Sequence, residues 1–209
     1  MASAIIHICV AKKVNEHLNF KEKELFLGAI APDISKQIGE SKFKSHFMSS
    51  IEDVPDLDLF MCKYKDNIKT PFDFGYLIHL YTDKVWYSNL DNSIIGEKGK
   101  ALLESLKLKS DKGALRKIIY EDYTNMNIKL IDKFELDLSL FYENFEIPDT
   151  SILEIPIEKL NILIDKMGII ISNSHNEKNK VFDYSKVITF INDVSNEIIE
   201  FIKENNLKK

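Results

Sequence analysis

Apolar residues along this chain recur at intervals of three and four, not two, so the elements they predict are helices. Over 3–18, His7, Val10, Ala11, Val14 and Leu18 keep to one stripe, while Lys12, Lys13 and Glu16 fall off it. That pattern predicts an amphipathic helix with His7 facing inward. A second helix is expected over 21–31, stopped by Pro32, with Asp33 in the turn that follows. Residues 34–55 are polar and broken around His46-Phe47. A short helix over 56–66 starts on Asp56 and Asp58, which suits the positive end of a helix. Pro71 opens a long helix to about Leu90 that is apolar nearly all round and therefore central.

Ser110-Asp111 caps a predicted helix over about 111–135. A loop is expected around 146–156, marked by Asp149, Thr150 and Pro156. A helix then carries Leu160, Leu163, Ile164, Met167 and Ile171. Ser172 to Lys180 reads as a polar loop. The last helix runs from about Ser185 to Asn205 on a face of Val187, Phe190, Ile191, Val194, Ile198, Phe201 and Ile202. No repeat, low-complexity tract, period-2 strand or domain boundary is evident. The expectation is an all-α bundle forming a single helical domain over 1–209.

Bulk composition narrows the function. Apolar residues make up 44% of the 209 and charged residues 29%, a globular balance. The net charge of -5 gives no footprint for nucleic acid. The 28 basic residues include one arginine, Arg116. A bidentate arginine clamp on a phosphate is therefore hard to build, and a metal is the natural holder of an anionic substrate. Cys9 and Cys62 form no CxxC pair and no disulfide framework. Cys9 sits in an apolar stretch, as a buried thiol would. No signal peptide or membrane-length apolar run is present, and a cytoplasmic protein is expected.

Chemistry concentrates in residues 1–90. His79 and Asp83 lie four apart on the buried helix and share a face. Gly75 precedes His79 by one turn on that face, leaving room beside the imidazole. An ionised Asp83 in an apolar helix is costly unless it is paired or metal-bound. A lone HxxxD is more often a satisfied core histidine, but His7 also faces inward, and Asp33 is aimed by a proline turn. His46 is locally uninformative. His17 and His175 lie in polar surroundings and read as surface. Two inward histidines, two carboxylates and an undecided histidine make a His/carboxylate set that suits zinc, with no thiolate and with positions left for water. Asp122 stands on the stripe Leu115, Ile119, Asp122, Met126, Leu130. It reads either as a buried acid bonded to Tyr120 or Tyr123, or as a partner or extra ligand for the metal site.

The segments Met-Ala-Ser-Ala-Ile-Ile-His7, Leu-Gly-Ala-Ile-Ala-Pro-Asp33, Lys-Ser-His46-Phe and Gly75-Tyr-Leu-Ile-His79-Leu-Tyr-Thr-Asp83 resemble the zinc-dependent phospholipase C family, relatives of the single-strand-specific zinc nucleases. The resemblance covers roughly residues 1–90. It implies a helix bundle of that family's type and a metal-dependent hydrolase of phosphodiester or phospholipid-like substrates. It also implies one or two zinc ions, or another divalent transition metal. Asp33, His46, His79 and Asp83 would hold one ion; His7 would hold a second, with Asp83 bridging. A metal-acidified water would attack phosphorus, with Asp33 as a candidate general base. The family's third site needs a histidine where Asn89 stands and a later His, of which only His175 exists. A third metal is not expected, nor is an amino-terminal ligand. The aromatic residues Phe47, Tyr76 and Trp86 would wall a pocket or serve as core. An HD-type phosphohydrolase, which needs an adjacent His-Asp pair, is excluded, since no histidine is immediately followed by aspartate. The competing reading is a helical module that keeps its metal for structure or sensing, without turnover.

Overall fold

The computed structural model describes residues 1–50, 53–89, 93–108 and 111–208. Ser3 opens α1 (Ala4–Leu18), its hydroxyl accepting the Ile6 N–H, and Asn19 closes it in the left-handed conformation. α2 (Glu22–Ile30) follows after a three-residue turn. Pro32 does not end the winding there, as its sequence context suggests. Ala31–Asp33 tighten into a 3-10 turn and the chain continues as the one-turn α3 (Ile34–Gln37). Proline is tolerated because it falls in the first turn of a new element, where no intrahelical N–H partner is required.

Asp56 caps α4 (Leu57–Tyr64) by accepting the Leu59 N–H at 2.9 Å. α5 (Pro71–Asn89) is the predicted central helix; the expected end at Leu90 lies outside the described residues. α6 (Glu97–Leu108) has no counterpart in the sequence expectation. It sits against the chain near Val181, where the missing side chain of Gly99 allows backbone contact. α7 (Lys112–Lys133) is capped by Asp111 as expected, while Ser110 lies outside the described residues. α8 (Asn161–Ser172) and α9 (Tyr184–Glu204), the latter capped by Asp183, complete the order. Among the described residues there is no strand, only an isolated bridge between Ile95 and Phe182. No described helix is long and apolar enough to cross a membrane.

α1 and α5 are the inner helices. α1 packs on α2, α5, α7 and α9, and α5 packs most closely on α2. The buried apolar residues form one cluster running from Ala2 to Ile202. The α2–α5 contact is set by two glycines. A Cβ on Gly28 would lie 2.1 Å from the Phe72 carbonyl oxygen, and one on Gly75 would lie 2.2 Å from that of Leu25. Gly75 thus makes room for the backbone of α2, not chiefly for an imidazole. This approach places the Ala29 carbonyl beside His79.

Candidate metal centre

α1 and α5 deliver their candidate ligand side chains by facing. His7 lies on the buried stripe of α1 and His79 and Asp83 on the buried face of α5; all three are fully inaccessible. Asp33 ends the 3-10 turn after α2 and keeps 17% side-chain exposure. His46 comes from a non-helical segment. Phe47, immediately after it, holds a left-handed backbone at φ 54°. That conformation is unusual for a bulky residue and must be compensated by its surroundings. Here the Phe47 ring packs on Phe60 and Tyr64.

The five residues expected from the sequence converge. His46 Nε2 lies 3.2 Å from His79 Nε2, 3.7 Å from Asp83 Oδ2 and 3.8 Å from Asp33 Oδ1. His79 Nε2 is 3.8 Å from Asp83 Oδ2. On the other side of Asp83, His7 Nε2 stands 3.4 Å from Oδ1, and the His7 ring stacks on His79 with centroids 3.9 Å apart. Two overlapping triads result, His7–His79–Asp83 and Asp33–His46–His79.

The tautomers follow from outer partners. The Ala29 carbonyl accepts from His79 Nδ1 at 2.8 Å. The Ser45 hydroxyl donates to the Lys42 carbonyl and so accepts from His46 Nδ1 at 2.9 Å. With Nδ1 protonated in both rings, the two Nε2 lone pairs face each other at 3.2 Å. Burial holds the His79 pKa well below the usual imidazole value, reinforced by the neighbouring His7, and burial also lowers His46. Burial alone would raise the Asp83 carboxyl. The close His7 imidazole and the Met1 amino group outweigh it, and the carboxyl lies well below its ordinary range. Neutral imidazoles and ionised carboxylates are the forms that ligate metals.

The donor set fits a cation. Four ligands about 2.1 Å from one tetrahedral ion stand about 3.4 Å apart, close to the separations here. Both His7 ring nitrogens, Asp33 Oδ1 and Asp83 Oδ2 are buried without a hydrogen-bond partner. Such groups are costly unless something satisfies them.

Several contacts had no sequence signal. The Ala2 N–H donates to Asp83 Oδ1 at 2.8 Å, and the Tyr123 hydroxyl donates to the Met1 carbonyl. The first residues of the chain therefore pack into the site. The Met1 amino group has its pKa lowered by burial, with Asp83 pulling the other way. His17 and His175 are exposed, as expected. Asn89 donates its side-chain amide back to Val85, so neither it nor His175 joins the cluster.

Asp122 is not brought to the cluster and is not bonded to a tyrosine. Its carboxylate accepts the backbone N–H groups of Lys180, Val181 and Phe182 at 2.7–2.9 Å. The acid is buried because it anchors the chain before α9. Of the three aromatics, Trp86 lines a cavity, whereas Phe47 and Tyr76 pack on Phe60. That cavity, of about 560 Å³, lies beside Asp33 and is walled by residues of α1, α7 and α8. No protein-family model, characterised protein or solved structure matches the chain.

Proposed function

We infer that this chain is a metal-dependent hydrolase of phosphate esters, built as a helix bundle of the zinc phospholipase C type. The observation that carries the reading is that Asp33 and Asp83 both approach the facing pair His46–His79, with Asp33 at the edge of a cavity. Asp33, His46, His79 and Asp83 would hold one ion, and His7 with Asp83 a second. A bound zinc supplies a water acidified to near neutral pH and polarises a phosphoryl oxygen.

The protein's own groups do the rest. Ala29 and Ser45 fix the rings of His79 and His46, and the Ala2 amide steadies Asp83. Asp33, the one partly exposed candidate ligand, is the carboxylate that water from the cavity can reach and that would accept its proton. The cavity is within the size range of small-molecule sites. Its opening next to Asp33 favours turnover over a metal kept for structure, since purely structural sites are closed.

The test is elemental analysis of protein purified without chelator or nickel resin, followed by a phosphomonoesterase and phosphodiesterase screen. One or two zinc or similar ions per chain and metal-dependent hydrolysis are expected. No metal after reconstitution overturns the reading. Metal without turnover leaves the structural or sensing module as the better account.

A further inference from the structure

The cavity beside Asp33 carries an electrostatic sign that the whole chain does not. The protein's net charge is -5. Yet the charged residues lining the cavity are three cations, Lys36, Arg116 and Lys166, and one carboxylate, Asp33, itself a candidate ligand. Arg116, the chain's only arginine, comes from α7, and Lys36 from α3. They meet at the Tyr120 ring. Lys36 Nζ stands 4.8 Å from its centroid and donates to its hydroxyl, while the Arg116 guanidinium lies 5.5 Å from the centroid. Other lysines in the protein find carboxylates, Lys12 with Glu22 and Lys180 with Glu121 among them. Among the described residues, Lys36, Arg116 and Lys166 have no ion-pair partner. The remaining wall is largely apolar, with Leu115, Ile119, Met167 and Ile170.

We propose that Arg116 and Lys36 form an anion-recognising edge to this cavity, so that the site takes an anionic amphiphile: an apolar group against α7 and α8, and a negative charge on the guanidinium and ammonium. As a statement of substrate class it rests on the hydrolase reading; as a binding site it does not. Phosphate esters of apolar alcohols without a cationic head group fit this arrangement. Zwitterionic or cationic amphiphiles do not, because their positive group would meet unpaired cations. Tyr120 holds both side chains in place, which lowers the cost of ordering them around a ligand.

Calorimetric titration of metal-loaded protein with octyl sulfate and octyltrimethylammonium, below their micelle concentrations, isolates the charge. The chains match, and a sulfate ester is a poor metal ligand. Octyl sulfate should bind, and more tightly than the ammonium. The Arg116→Ala/Lys36→Ala variant should lose roughly five- to tenfold in octyl sulfate affinity, as for two exposed charge contacts. Arg116→Gln should lose part of it, and Lys133→Ala none. The substituted side chains are exposed, so the fold should persist, and circular dichroism checks it. Absent octyl sulfate binding, equal affinity for the two probes, or an unchanged double variant overturns the proposal. If the binding pattern holds while the loaded protein hydrolyses no phosphate ester, the hydrolase reading fails and the anion site stands.

Discussion

Single residues divide sharply by what their side chains touch. His79→Ala removes a donor common to both triads and should strip or greatly weaken metal binding, whereas His17→Ala and His175→Ala should leave metal content unchanged. Asp122→Ala is the complementary case. It should cost about 2–4 kcal/mol, because buried backbone N–H groups lose their acceptor, yet keep metal stoichiometry. Elemental analysis and urea unfolding on the four variants read both effects. Acid sensitivity follows from the imidazoles. His46 and His79 have folded-state pKa values pushed down by burial. Below about pH 6.5 the unfolded chain therefore binds protons that the folded chain does not. Stability of the metal-free protein should be full above that pH and fall as the pH drops beneath it, measurable as a lower urea midpoint at pH 5 than at pH 8. An unchanged midpoint would mean that these rings are already charged when folded. His7, His79 and Asp83 were legible because helical periodicity turns sequence spacing into a face, and Asp33 because proline fixes the turn before it. His46 has no such trace. Its position depends on the left-handed Phe47 and on Ser45, and tertiary contacts hold them: the packing of the Phe47 ring on Phe60 and Tyr64 and the Tyr76 hydroxyl donating to the Ser45 carbonyl. Asp122 misled for a related reason: a carboxylate on an apolar stripe signals a buried partner without saying which, and its partners lie some sixty residues away.

At the scale of elements, the α2–α5 crossing decides the site. Backbone contact at Gly28 and Gly75 brings the Ala29 carbonyl to His79 Nδ1. Gly75→Ala pushes a methyl into the Leu25 carbonyl and the Ala29 amide, neither of which can rotate away. The cost should be at least about 2–3 kcal/mol, at the upper range of overpacking. Metal affinity should fall too, as α2 withdraws its carbonyl from the imidazole. Denaturant unfolding with metal titration checks both; an unperturbed variant would mean that the helices slide apart freely. The long apolar helix and the amphipathic α9 were readable from pattern alone. α6 was not. Its residues do share an apolar face, with Leu102 and Leu103 packed on the core, but its place against α7 and, through Gly99, against Val181 is set by neighbours distant in sequence.

Over the whole molecule, the halves differ in task. Candidate ligands come from the first ninety residues, while the later helices α7 and α8 complete the cavity wall begun by α1 and α3, and α9 packs on α1. The segment before α8 is tied down by Glu154, a buried acid that accepts from Tyr64 and pairs with Lys63. α9 covers α1, the helix of His7, with Val187, Ile191, Val194 and Ile198 buried. Synthesis runs from α1 toward α9, so α1 lacks this cover until α9 has emerged. A nascent chain stalled before residue 184 would carry all five candidate ligands and still hold α1 loosely. Ion capture should therefore be slow or weak before α9 has emerged and become tight only after it packs on α1.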